Sequence, residues 1–335
     1  MIISRKEFSN KVAKAVAFTG KGSIEILKKV VFRYGKISST NLDAAYFADV
    51  ECEFDEAFAV DGKSLLSAVN GMKDDKISID FDGDRLSIED ESYSTTISTM
   101  PAIDMPLIVK ELLEGESTVL SDSFTDKFNA AAGFASRDDI RVILSTVRIG
   151  NGKIVATDGR VLFSADDDSV AAISANIKSI KLPFHATSVI ISEDYAQFEG
   201  NGEWIKVKID KNSYPNWENV IPKRIECEIT VNKKSVLAAI KFLGSTNNIV
   251  KVSADKESVV LFAKSISKRV DSHVVVTGSA DSEYVVYYDI ALLRKVLSAV
   301  DYDAVILEVS GKTSPTLIRE EDKQLIIMPM IGIEE

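Results

Sequence analysis

Few residues in this chain have the type and spacing for chemistry. The carboxylates come closest: Asp138 with Asp139, the run Asp166, Asp167 and Asp168, and Asp158 inside Ala-Thr-Asp-Gly. Paired carboxylates move protons or hold Mg²⁺. One reading is therefore a soluble metal- or acid/base-dependent enzyme using Asp158 and Asp166–Asp168. The turn-like context favours another, in which the acids are solvated and Asp158 bonds neighbouring amides. His185 and His273 lack the neighbours of a metal site. Cys52 and Cys227 have no CxxC partner, which argues against zinc or a disulfide framework and for a reducing cytoplasm. No glycine-rich phosphate loop or GxSxG elbow occurs. The expectation is no catalytic site, no metal and no cofactor.

The element carrying Asp158 is Lys153 to Leu162, KIVATDGRVL. Ile154 and Val155 favour a strand, Thr157-Asp158-Gly159 supplies a turn, and Val161-Leu162 begin a return strand. Around it lie 335 residues, enough for two or three domains, with the 45% apolar and 27% charged content of a globular protein. No apolar run is long enough to span a bilayer, and MIISRKEFSNK lacks the apolar core of a signal peptide. A net charge of -11 excludes a surface coated in basic residues while leaving room for a local basic face.

The rest reads as one unit used three times. Arg5–Phe18 places Phe8, Val12 and Val16 on one helical face, with Lys6 and Lys14 opposite. Asp122–Phe134 repeats the pattern with Phe124, Phe128, Ala131 and Ala132 inward and Lys127 elsewhere. Asn232–Leu243 repeats it with Val236, Leu237, Ile240 and Leu243 inward and Lys233, Lys234 and Lys241 outward. The starts lie about 110 to 120 residues apart. A second helix opens at Asp61 (DGKSLLSAVNGMK, carrying Lys63 and Lys73) and another at Asp289 (DIALLRKVLSAVD, carrying Arg294 and Lys295), each with Asp as N-cap. The middle counterpart is expected near Leu182–Val189. Between helices the chain alternates in short stretches, such as KISIDFDGDRLSIED, which predicts antiparallel sheet. Seams are expected near Glu114–Thr118 and Lys223–Glu228.

Two further segments stand out: Tyr214–Pro222 (YPNWENVIP), a rigid connector, and Leu325–Met330 (LIIMPM), an apolar strand with adaptable methionines. With STMPAIDMP, SRDDIRVILSTVRI, IVATDGRVL, YPNWENVIP and TLIREEDKQLIIMPM in this order, the chain resembles the bacterial DNA polymerase III β subunit, the sliding clamp, along its whole length. A divergent or phage-encoded member fits the pattern.

That resemblance implies an α+β fold of three similar clamp domains, 1–116, 117–225 and 226–335. Each would have two helices on antiparallel sheet, and a homodimer would close a six-domain ring. It implies a non-enzymatic processivity factor encircling double-stranded DNA. The partners implied are a replicative DNA polymerase, an ATP-dependent clamp loader, and repair polymerases or other motif-bearing proteins, in the cytoplasm and with no membrane. Lys6, Lys14, Lys21, Lys63, Lys73, Lys127, Arg137, Lys234, Lys241, Arg294 and Lys295 would face DNA. A peptide-binding groove would use Leu144, Thr157, Gly159, Arg160, Leu162, Pro215, Val220, Ile326, Met328, Pro329 and Met330. Met105 would plug a dimer seam opposite Phe242 and Leu243. The chain departs from the family at Gly159-Arg160-Val161-Leu162, where Gly-His-Arg-Leu is usual, at Asn219, where Arg is common, and in its tail Ile331–Glu335.

Overall fold

Among the described residues five α-helices form on apolar stripes, four of them behind a side-chain N-cap. α1 (Arg5–Ala17) buries Phe8, Val12 and Ala15 behind an N-cap at Ser4. α2 (Gly62–Gly71) buries Leu65 and Val69, and its cap Asp61 accepts the Ser64 N–H at 2.9 Å. α3 spans Phe124–Ala132, with Phe124, Phe128 and Ala131 buried. α4 (Lys233–Leu243) is capped by Asn232, which accepts from Ser235 N at 3.0 Å. α5 (Ile290–Ser298) is capped by Asp289, which accepts from the Ala291 and Leu292 amides. Capping of this kind stabilises a helix by about 1 kcal/mol. α1 packs on α2 and α4 on α5.

The computed structural model describes residues 1–52, 54–106, 108, 111–265 and 269–331. It divides into two compact units, Met1–Asp126 with Ala175–Lys211, and Lys127–Ser174 with Asn212–Glu335.

In the first unit an antiparallel series runs Ile2–Ser4, Lys76–Phe81, Arg85–Glu89, Ser94–Pro101, Phe58–Asp61, Lys29–Arg33, Lys36–Thr40, Ala44–Asp49, Glu203–Asp210, Tyr195–Gly200, Ser188–Ile191 and Thr118–Val119. Its inward face carries a cluster of Val31, Ala45, Phe47, Ala59, Ala102, Met105 and Ile108. Met105, expected at a dimer seam, is only 2% exposed there. It follows the turn Ala102–Asp104 and packs into the cluster of its own unit.

No helix forms at Leu182–Val189. The chain runs irregularly into the strand Ser188–Ile191. Pro183 lacks the amide a helix interior needs. The Ala186 amide donates instead to Thr125 Oγ1 at 2.9 Å and the Thr187 amide to Glu199 O at 2.8 Å. Gly200 lies so near that a Cβ there would sit 2.0 Å from His185 O. Two helices thus lie within 1–116 and two within 226–335, while 117–225 carries α3 alone among the described residues.

In the second unit the series runs Thr146–Gly150, Lys153–Thr157, Val161–Asp166, Lys323–Ile327, Thr316–Arg319, Ala304–Val309, Cys227–Asn232 and Gly278–Ala280. A separate four-stranded sheet has the order Val270–Val276, Val259–Ser265, Ile249–Ala254 and Tyr284–Asp289. Leu243, the last residue of α4, is fully buried, while its neighbour Phe242 is 60% exposed.

Candidate peptide groove and cationic helix faces

The turn between Lys153–Thr157 and Val161–Asp166 is held from inside. Asp158 Oδ1 accepts the Arg160 and Val161 amides at 2.9 and 3.0 Å. Thr157 Oγ1 accepts the Gly159 amide at 3.0 Å and donates to Val161 O at 2.6 Å. Gly159 takes φ +87°, a conformation that favours glycine. The second Asp158 oxygen meets Lys295 Nζ at 3.2 Å. Both oxygens are thus engaged in structure, as expected of a turn aspartate and not of a catalytic acid.

The other acids are placed similarly. Asp166 pairs with Lys153, and Asp167 accepts the Ser169 amide at 3.1 Å. Among the described residues no three His, Cys, Asp or Glu side chains gather as a metal site. Cys52 and Cys227 are free and buried, and burial pushes the Cys52 thiol up to about 11.

Beyond the turn, register builds an apolar surface. Leu162 pairs with Ile326, and Ile326 with Leu317, so the three project from one face of adjacent strands. Val155 completes the cluster, and Tyr214, Trp217 and Ile221 pack against it. Leu162 and Ile326 are each 2% exposed. Leu144 is also buried, at the end of the turn Asp139–Ser145. Gly159, Arg160, Pro215 and Val220 are exposed at the rim, and Met328, Pro329 and Met330 are half-buried. The tail is sewn down by its backbone: Met328 N donates to Arg160 O at 2.8 Å and Met330 N to Tyr287 O at 2.7 Å. Arg160 Nη2 reaches Asp289 Oδ2 at 3.4 Å and Met330 Sδ at 3.6 Å.

Leu162, Ile326 and the turn are thus brought together as expected. Val155, Leu317, Tyr214, Trp217 and Ile221 belong with them but stand outside the groove set that the resemblance implies. Val155 is two residues from Thr157, a same-face spacing that alternation alone would flag. Leu317 depends on a strand pairing that no local signal specifies.

The eleven expected DNA-facing cations separate into two groups. Lys6, Lys21, Lys63, Lys73, Arg137, Lys241 and Arg294 are exposed, with no ion pair found for them among the described residues. Lys73 lies past the end of α2. Lys234 pairs with Asp303 at 2.8 Å but stays open to solvent. Three others are tied inward. Lys14 grips both oxygens of Glu203 at 2.6 and 2.8 Å. Beside them burial, then the Glu203 charge, pushes the Tyr46 hydroxyl above its ordinary range. Lys127 pairs with Asp322 at 2.9 Å and donates to Asp166 O at 2.6 Å. Lys295 turns to Asp158 and lies 5.2 Å from the centre of the Phe134 ring. In these three the expected free cation is a strut, because a carboxylate from a distant segment lies within reach.

No family model matches the chain. A curated protein of Helicobacter pylori (strain ATCC 700392 / 26695), named Beta sliding clamp, is 20% identical over 325 residues, covering 90% of this chain and 87% of that protein. One of the same name from Synechococcus elongatus is 20% identical over 243 residues, 64% of each chain. Among solved structures, the DNA polymerase III subunit beta of Pseudomonas aeruginosa superposes with a TM-score of 0.83 at 15% identity, covering 98% of this chain and 99% of that one. The beta subunit of Thermotoga maritima gives 0.83 at 19%, covering 98% of both. The Helicobacter pylori clamp bound to a DNA ligase peptide gives 0.77 at 17%, covering 98% of this chain and 99% of that one. Along nearly its whole length the chain is similar to the bacterial β sliding clamps, and it has their fold.

Proposed function

We propose that this chain is a DNA sliding clamp, a processivity factor and docking platform without turnover of its own. The observation that carries this is the match over 98% of the chain to DNA polymerase III β subunits. The domains would run 1–116, 117–225 and 226–335, and a head-to-tail homodimer would close the ring in the bacterial cytoplasm. Phe242 and the sheet edge Val270–Val276, with Val275 exposed, suit a seam, because an unpaired edge strand can receive a second chain.

The cations left exposed on α1, α2, α4 and α5 would meet phosphate without reading sequence, so contact would be weak and salt-sensitive. Topology, not affinity, would hold the duplex. The surface over the Leu162–Ile326 cluster, formed by the exposed Gly159, Arg160, Pro215 and Val220 and the half-buried Met328, Pro329 and Met330, would take linear motifs of a replicative polymerase, an ATP-dependent loader and repair proteins. A relative's structure with a DNA ligase peptide supports that use.

The test is solution mass by light scattering, then retention on circular and on linearised DNA after treatment with a bacterial loader and ATP. A species of about twice 36.7 kDa, held on circles and lost from cut ends, is expected. A monomer at every concentration that never stays on circles overturns the reading.

A further inference from the structure

The turn at Thr157–Val161 has a twin in the first unit. Thr40 Oγ1 donates to Ala44 O at 2.6 Å and accepts the Leu42 amide at 2.9 Å. Asn41 Oδ1 accepts the Asp43 and Ala44 amides at 3.0 and 2.9 Å. Leu42 takes φ +79°, beside the +87° of Gly159. The Lys208 amide donates to Asp43 O at 2.9 Å, as the Met328 amide does to Arg160 O at 2.8 Å. Register then matches the strands residue by residue. Lys206 pairs with Ala45 and Gln197, where Ile326 pairs with Leu162 and Leu317.

The matched positions differ in chemistry. Gln197 and Lys206 are 2% and 6% exposed, and polar side chains so buried need partners. They find them in the main chain of 111–113. Gln197 Oε1 accepts the Leu113 amide at 2.7 Å, and its Nε2 donates to Leu113 O at 3.3 Å. Lys206 Nζ donates to Glu111 O at 2.7 Å and stands 5.2 Å from the centre of the Tyr195 ring. Leu112 packs against the cluster that holds Ala45 and Phe47. Little else fastens this segment. Among the described residues no main-chain hydrogen bond ties 111–117 to the sheet, and Glu111 and 114–117 are exposed. In the second unit the chain passes from Pro222 to Cys227–Asn232 through 223–226. In the first it passes from Pro106 to Thr118–Val119 through 107–117, and 111–113 of that longer path cover the matched site.

We infer that the first unit holds a second docking site for an extended peptide, bound through main-chain N–H and C=O groups by Gln197 and Lys206, with 111–113 as its tethered lid. This extends to the first unit the reading of the second unit's surface as a peptide groove, and rests on that reading. Gln197 and Lys206 contact backbone atoms, so the site tolerates varied sequence. It needs an apolar side chain at the Leu112 position and an N–H one residue later, which proline lacks. A tethered lid competes at an effective concentration of about a millimolar, so a free peptide enters only when the lid is released.

The experiment uses the full chain and fluorescence anisotropy. The probe is a labelled peptide of the lid's own sequence, ELLEGES (111–117), blocked at both ends. Leu112→Gly with Leu113→Pro removes the lid's apolar contact and the N–H that Gln197 receives, leaving the site's own side chains in place. This opened chain should bind the probe at least tenfold more tightly than wild type. Adding Gln197→Met, which keeps volume and removes the amide, should return binding to the wild-type level. No gain in the opened chain, or a gain that survives Gln197→Met, overturns the inference. An unlabelled peptide with Leu and Phe anchors should leave the probe bound; if it displaces it, the probe sits in the second unit's groove and the inference falls. Binding of that anchored peptide to wild type tests the second unit's groove by itself. Amide hydrogen exchange of the wild type decides the matter without any variant. The Leu113 amide should exchange by local opening, at least a hundredfold faster than the Lys206 amide beneath it. Equal rates make 111–113 part of the core and overturn the lid.

Discussion

Replacing Lys14 with alanine separates a strut from a DNA contact. Lys14 Nζ sits 2.6 Å from Glu203 Oε1, with side chains 18% and 9% exposed. At an effective dielectric of about 20 the attraction at that distance is ~6 kcal/mol. Desolvation of both ions offsets most of it, so the net worth of the pair is small. Truncating one partner is another matter, because Glu203 then stays buried and unpaired beside the Tyr46 hydroxyl. Such a loss costs about 3–5 kcal/mol, and the partial exposure of Lys14 puts this case near the lower end. Trp204 adjoins Glu203 in the same strand, so denaturant unfolding in a Trp217→Phe background reads this unit by fluorescence. We expect a loss of about 3 kcal/mol in Lys14→Ala. Much of it should be recovered in Lys14→Met with Glu203→Leu, because an apolar pair leaves no orphaned charge. The salt dependence of DNA binding should not change. A loss below about 1 kcal/mol, with a salt slope shallower by about one phosphate contact, would refute the reasoning and return Lys14 to the DNA-facing set.

Met105→Ala should destabilise the first unit by about 2–5 kcal/mol, the range for a buried methionine, while Phe242→Asp should leave subunit stability within about 1 kcal/mol and shift light-scattering mass towards the monomer. Leu162→Ala should cost the second unit about 2–5 kcal/mol, seen in the Trp217 unfolding signal. Acid should loosen the first unit through Asp90, whose carboxyl accepts the Lys73, Ser92 and Tyr93 amides and sits near 2. A depressed carboxylate stabilises the fold above its unfolded value of about 4 and loses that contribution as pH falls towards about 2. Asp90→Asn should therefore flatten that part of a stability-versus-pH titration, and an unchanged profile would count against the assignment.

Local chemistry was the legible part of the sequence. Asp61, Asn232 and Asp289 each precede an apolar period of 3.6 and each caps the helix that follows. Thr157-Asp158-Gly159 announced a turn and formed one, because its partners lie within four residues. What failed depended on distance along the chain. Lys14 reads as a solvated lysine until a strand bearing Glu203 is laid beside α1. Met105 reads as a seam plug because a loop gives no sign of which side faces the sheet, whereas Leu243 lies inward as its place on the α4 stripe dictates. A helix at Leu182–Val189 is suggested only by the repeat of paired helices elsewhere in the chain, and Pro183 opposes it. For the site, the motif residues were visible singly, but the cluster exists only through the pairing of Val161–Asp166 with Lys323–Ile327, which no local pattern encodes.

The same kind of ladder has a mechanical side. Ala44–Asp49 is bonded to Glu203–Asp210 over five residue pairs, and Val161–Asp166 to Lys323–Ile327 over five more. Each joint ties segments far apart in the chain. Pulled along the strands, its rungs load in shear and must fail together instead of unzipping one at a time. In a ring built from such chains, these joints would be rivets, and a motor prising it apart would spring the place where two separate chains meet.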